Sequence, residues 1–200
     1  MKDPRTNSKQ LIEASIYLYS SSPIYNRICR YQPDMMTFDY VIAPFKMKDF
    51  DVTPQNIDKY NKAYYKVLNE LEIINVKHIF NKIARVVMRE GAFFGLEISN
   101  KDSYMIHQLP YDKCKVTSWE DGCPIFSLDM SYFDKNQLLL ESIGGSVQAA
   151  YDSYLANKKL KWVEMDSKSS ICILFDETLD YIVPPLCGSF SDIYLIEDYK

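Results

Sequence analysis

Apolar residues recur at intervals of three and four through much of the first half of the chain. Leu11, Ile12, Ile16, Leu18 and Tyr19 have mixed helical spacing over residues 8–20 and predict a helix. Ser20-Ser21-Ser22 interrupts it. Ser22 is a suitable cap for a second, short helix with Pro23 at its first position. That helix carries Ile24, Ile28 and Cys29 and is expected to end before Pro33. Phe38 to Pro44 is aromatic and β-branched, predicts an extended segment and stops at proline. Thr53-Pro54 then starts the clearest stripe in the chain. It runs through Ile57, Tyr60, Tyr64, Val67, Leu68, Leu71, Ile74, Ile79, Ile83, Val86 and Val87, and Gly91 stops it. The pattern fits one helix of about 37 residues, roughly 55 Å long, or two helices joined near Asn75.

After Gly91 the period changes to two. Ala92, Phe94, Leu96 and Ile98 share one face of a strand. A turn over Ser99–Ser103 leads to a second strand, Tyr104–Leu109, which Pro110 ends. Cys114–Trp119 and Ile125–Met130 are two more, joined by Asp121-Gly122, a strong hairpin signal. Residues 92–130 therefore predict a small antiparallel meander. Helix returns over 133–157, broken at Ile143-Gly144-Gly145. Trp162–Met165 and Ser170–Phe175 read as strands with a loop between them. Pro184-Pro185 forces extension, and Phe190–Tyr199 opens a final helix whose pattern still runs at Lys200. The predicted class is α+β, with long helices packed on a small antiparallel meander. The predicted organisation is one domain over 1–200: a helical and extended arm (1–50), a long helix (54–90), the meander (92–130) and a mixed region (133–200).

Composition narrows the function. Sixteen Tyr and ten Phe in 200 residues suit surfaces that are apolar in body and wet at the tip, as at interfaces. A net charge of −4 argues against a domain built to grip phosphate backbones. Lys158, Lys159 and Lys161 form the densest basic cluster and read as a solvated loop. Cys29, Cys114, Cys123, Cys172 and Cys187 are odd in number and lack CxxC spacing, so buried free thiols in a reducing compartment are expected. His78 and His107 have no ligand spacing to any of them. Met1 to Gln10 lacks the apolar stretch of a signal peptide, and no run reaches membrane-span length. A cytosolic origin is expected.

Chemistry is sparse. There is no glycine-rich phosphate loop, no GxSxG elbow and no HExxH. Cys114 and His107 could meet on neighbouring strands, but without an orienting third group. Glu164 and Asp166 share one side of a strand, and Asp129 and Asp134 flank Ser131-Tyr132-Phe133. Such carboxylates could bind a divalent ion for phosphodiester chemistry. Asp166 at a turn reads more simply as capping its own backbone, and Ser189 with Asp192 as a helix start. No catalytic, cofactor-binding or metal residue is assigned, and no enzyme activity is expected.

An ordered set of phrases adds to this reading. It begins with Ile24-Tyr25-Asn26-Arg27-Ile28, Thr37-Phe38-Asp39-Tyr40-Val41-Ile42-Ala43-Pro44 and Gly91-Ala92-Phe93-Phe94-Gly95. It continues with Gln108-Leu109-Pro110-Tyr111-Asp112-Lys113-Cys114-Lys115-Val116, Phe126 to Phe133 and Trp162-Val163-Glu164-Met165-Asp166. Pro184-Pro185-Leu186-Cys187-Gly188, Ser191-Asp192-Ile193 and Glu197-Asp198-Tyr199-Lys200 complete it. Together, from about residue 20 to 200, they resemble the N-terminal half of portal proteins, the head–tail connectors of tailed phages of Gram-positive hosts. The resemblance implies a wing-like structural protein, made in the bacterial host cytoplasm and carried into the virion. It implies a ring, typically of twelve copies, at one capsid vertex, through which DNA is packaged and ejected. Capsid or scaffold protein, terminase and connector or adaptor proteins are the implied partners, and DNA passes the channel without specific binding. Full portals are about twice as long, so the stem and clip are expected to be missing. The alternatives are a portal-derived binding or interference module and a metal-dependent nuclease using Asp129, Glu164 or Asp166.

Overall fold

A strand buried on both faces organises the molecule. In the computed structural model, which describes residues 3–43, 53–99 and 104–198, that strand is β1, Ala92–Ser99. Ala92, Phe94 and Leu96 point into the main core, while Phe93 points the other way onto Ile83 and Val87. A strand with two apolar faces needs a layer on each side. On one side lies the helix Val76–Glu90, named α4 below. On the other lies a second sheet.

The expected meander is therefore corrected. Four strands were predicted to lie edge to edge over 92–130. The structure has instead two three-stranded antiparallel sheets. In the first, β1 sits between β2 (Tyr104–Gln108) and β6 (Ser170–Leu174). In the second, β4 (Cys123–Asp129) sits between β3 (Cys114–Glu120) and β5 (Trp162–Glu164). The chain changes sheet at Pro110 and the single 3-10 turn Tyr111–Lys113. The physical reason is apolar area. Phe94 and Leu96 on β1 and Phe126 and Leu128 on β4 can all leave water only if the sheets stack. The Phe94 and Phe126 rings meet edge to face, centroids 5.2 Å apart. The two late strands predicted after residue 160 do not pair with each other; each completes a different sheet. The β3–β4 hairpin turns on Asp121 (φ 50°) and Gly122 (φ 80°), the two positive values that a two-residue turn requires.

The helices divide along sequence lines. α1 (Pro4–Ser21) is capped by Asp3, and α2 (Pro23–Met35) by Ser22. The second does not end before Pro33 as expected. Pro33 sits buried in its last turn, where its missing N–H forfeits one helical bond. The α2–α4 contact compensates: Asn81 donates to the Pro33 carbonyl (2.8 Å), and Arg85 forms a forked pair with Asp34. Residues 36–43 pair with no strand among the described residues, and Phe38 has a φ of 48°. The end of that predicted extended segment at Pro44, the turn residues 100–103 and Tyr199-Lys200 lie outside the described residues. The long stripe resolves into two helices, α3 (Pro54–Ile74) and α4, because Asn75 adopts a left-handed conformation (φ 56°). Gly91 ends α4 at φ 82°, and a Cβ there would run into the Val183 carbonyl.

Beyond β4, two turns of 3-10 helix (Met130–Lys135) lead to α5 (Gln137–Ile143) and α6 (Gly145–Ala156). They close the main core with Phe133, Leu140, Val147, Tyr151 and Tyr154. A smaller core joins Leu18, Tyr25 and Cys29 to Ile193 of the last helix, α7 (Phe190–Asp198). α+β is the class. Among the described residues no helix is long and apolar enough to cross a membrane.

Candidate functional site

A cleft of about 560 Å³ lies along the free edge of β3. α1 contributes Lys9 and Ile12, and the loop after β6 contributes Asp176 and Tyr181. Cys114 and Val116 come from the strand, and Trp119, half exposed, stands at the end. The cleft exists because the loop crosses back to α1. Arg5 pairs with Asp180 (3.3 Å) and lies over the Tyr181 ring (5.7 Å), and Ser8 donates to the Ile182 carbonyl. Its walls are mostly apolar with a mixed-charge rim, suited to holding a surface or chain by shape.

The predicted nucleophile pair does not form. His107 is on β2 in one sheet and Cys114 on β3 in the other. The His107 ring nitrogen Nε2 is hydrogen-bonded with the Tyr132 hydroxyl at 3.0 Å. Burial lowers the imidazole pKa and pushes the Cys114 thiol far up, so the thiolate is suppressed. Of the five thiols expected to be buried, Cys29 and Cys114 are; Cys172 and Cys187 are half-buried and Cys123 is exposed. Burial raises Cys172 to about 12.

The carboxylates do not converge either. Asp129, at the end of β4, is 2% exposed and held by Lys113 (3.2 Å) and Lys161 (3.0 Å), and it accepts from the Ser131 N–H (3.0 Å). Burial raises its pKa, but the bonds from Ser131, Lys161 and Lys113 outweigh that and set it at about 2. Two ammonium groups stand where a divalent ion would have to approach. Glu164 accepts from Thr117 (2.9 Å) and Ser118 (2.8 Å) across β4. Asp166 caps its own loop through the Lys168 N–H (3.0 Å). Asp134 accepts from Tyr151 (2.9 Å) and Tyr154 (3.3 Å). Asp192 lies in the first turn of α7. Among the described residues no three His, Cys, Asp or Glu side chains gather around a common point.

The lysine cluster also disperses. Lys158 lies over the Tyr154 ring (3.9 Å), while Lys161 turns inward to Asp129. The clamp formed by Lys113 and Lys161 was not legible from spacing, since it joins residues 48 positions apart through β4–β5 pairing. The same holds for Ser15, which is fully buried, bonds the Tyr25 hydroxyl (2.7 Å) and donates to the Arg89 carbonyl.

Apolar surface is the larger remaining feature. No residue of α3 is buried, and Ile57, Tyr65, Val67 and Ile73 are exposed. Tyr194, Leu195 and Ile196 of α7 are also exposed. No family model, no curated protein and no solved structure matches the chain.

Proposed function

We propose that the chain is a structural assembly module of phage-portal type, a wing-like part that works by packing against other protein subunits. One observation carries the assembly role: α3 holds seven apolar stripe positions from Ile57 to Ile74 and buries none of them fully, two being exposed and five half-buried. Apolar surface of this extent rimmed by charge marks protein contact. The portal reading rests on the ordered phrases, whose residues hold the framework of this fold. Phe93 and Phe94 face the two layers around β1, Phe126 and Phe133 fill the main core, and Pro184 meets Gly91. The net charge of −4 suits a ring past which DNA must slide without sticking. Self, capsid or scaffold protein, terminase and connector proteins are the proposed partners.

The test is electron microscopy of the purified chain at high concentration, with capsid and connector proteins of the same phage added in turn. Rings of many copies, or stable complexes with those proteins, are expected. Isolated particles of one or two copies that bind none of them would contradict the portal reading.

A further inference from the structure

The helix α3 has features that the described part of its own fold uses only in part: Tyr60, Tyr64, Leu71 and Ile74 are half-buried and none is fully covered. Its apolar positions Ile57, Tyr60, Tyr64, Val67, Leu71 and Ile74 alternate by three and four, the seam of a coiled coil. The helix spans about 31 Å. Ile57 and Val67 are each 40% exposed although they lie on the seam. Tyr60, Tyr64 and Tyr65 form a run of ring contacts along the surface.

Its charges are polarised. Residues 54–66 carry three lysines and one aspartate, while 67–74 carry two glutamates and no base. The first turn holds no acid and the last turn no base. This order runs against the helix's own dipole, which favours acids at the start and bases at the end. Stability of an isolated helix does not account for it. An antiparallel neighbour with the same sequence does, since it sets the basic half of one helix beside the acidic half of the other.

We infer that α3 is a twofold self-association surface whose partner is a second copy of this chain. The seam is symmetric under that operation. With the axis between residues 65 and 66, Ile57 of one copy lies level with Ile74 of the other, Tyr60 with Leu71, and Tyr64 with Val67. Every layer pairs two apolar residues. Helical periodicity puts Lys59 and Glu70 on the same flank of the seam, and the twofold brings them within one turn of each other, twice per dimer. Lys62 and Lys66 already pair within the helix with Asp58 (2.8 Å) and Glu70 (3.8 Å); Lys59 makes no ion pair among the described residues. Such a contact closes on itself. It gives a pair and uses the surface on which the assembly role rests, so a portal-type ring needs a second, heterologous contact elsewhere on the chain.

Sedimentation equilibrium of the full chain tests it, with circular dichroism to confirm folding of each variant. The expected result is a monomer–dimer equilibrium. Tyr64→Ser with Val67→Asp should abolish the dimer while the body stays folded, since neither residue is buried. Lys59→Glu should weaken it by about tenfold, and adding Glu70→Lys should restore it. A chain that is monomeric up to its solubility limit would overturn the inference. So would a dimer unmoved by the seam variant, or one that the charge pair fails to rescue. Rings formed by a chain that shows no dimer through α3 would leave the portal reading standing and this inference fallen.

Discussion

β1 and α3 are both strongly apolar, and the fold treats them in opposite ways. β1 places Phe93 against α4 and Phe94 against the second sheet, with both rings almost wholly buried. α3 is nearly three times as long and buries no side chain. The difference lies in the number of partners the chain itself supplies. β1 receives β2, β6, α4 and α5, whereas no element among the described residues packs extensively on α3. Hydrophobic pattern alone therefore reports which residues seek cover. It does not report whether the cover comes from the same chain.

The contrast can be broken most strongly at the sheet interface. Phe126→Ala removes a fully buried ring that packs on Phe94 and should cost about 3–5 kcal/mol in urea unfolding. Gly91→Ala comes next, at about 2–3 kcal/mol. It forces a side chain into a left-handed conformation and against the Val183 carbonyl, and the cost would appear as a lower denaturation midpoint. Acid titration should follow. Asp129 titrates at about 2 in the fold against an ordinary 3.8. Its contribution is thus complete above about pH 4 and lost as pH falls through 2. The loss is about 2 kcal/mol, readable from unfolding at stepped pH, and Asp129→Asn should flatten that profile. The smallest effect is expected on α3: Ile73→Ser should change stability by no more than about 0.5 kcal/mol, because Ile73 is exposed.

The elements themselves were largely legible. Capping residues Ser22 and Thr53, the Asp121-Gly122 turn and the glycine pair at 144–145 act through local backbone preference, which a short stretch of sequence contains. Sheet membership was not legible. Whether β3 lies beside β2 or stacks over it depends on Phe94 finding Phe126, residues 32 positions apart. The Pro33 outcome has the same origin, since Asn81 and Arg85 stabilise a turn that local preference would end. At the site, the carboxylates were singled out as possible ligands of a divalent ion, and among the described residues they do not gather around a common point. Their partners came from distant segments: Lys113 of the 3-10 turn and Lys161 before β5 on Asp129, and Thr117 and Ser118 of β3 on Glu164. The cleft along β3 has no sequence signature, because α1, β3 and the loop after β6 each supply only one wall.

Amide hydrogen exchange read across the whole chain at two protein concentrations tests the account most directly. At low concentration the amides of β1 and β4 should exchange slowly, near the global unfolding limit, and those of α3 fast. Raising the concentration should protect α3 selectively and leave β1 and β4 unchanged. An α3 as protected as β1 at low concentration, or one that concentration does not alter, would contradict the claim that this helix is held by contacts between molecules and not by its own fold.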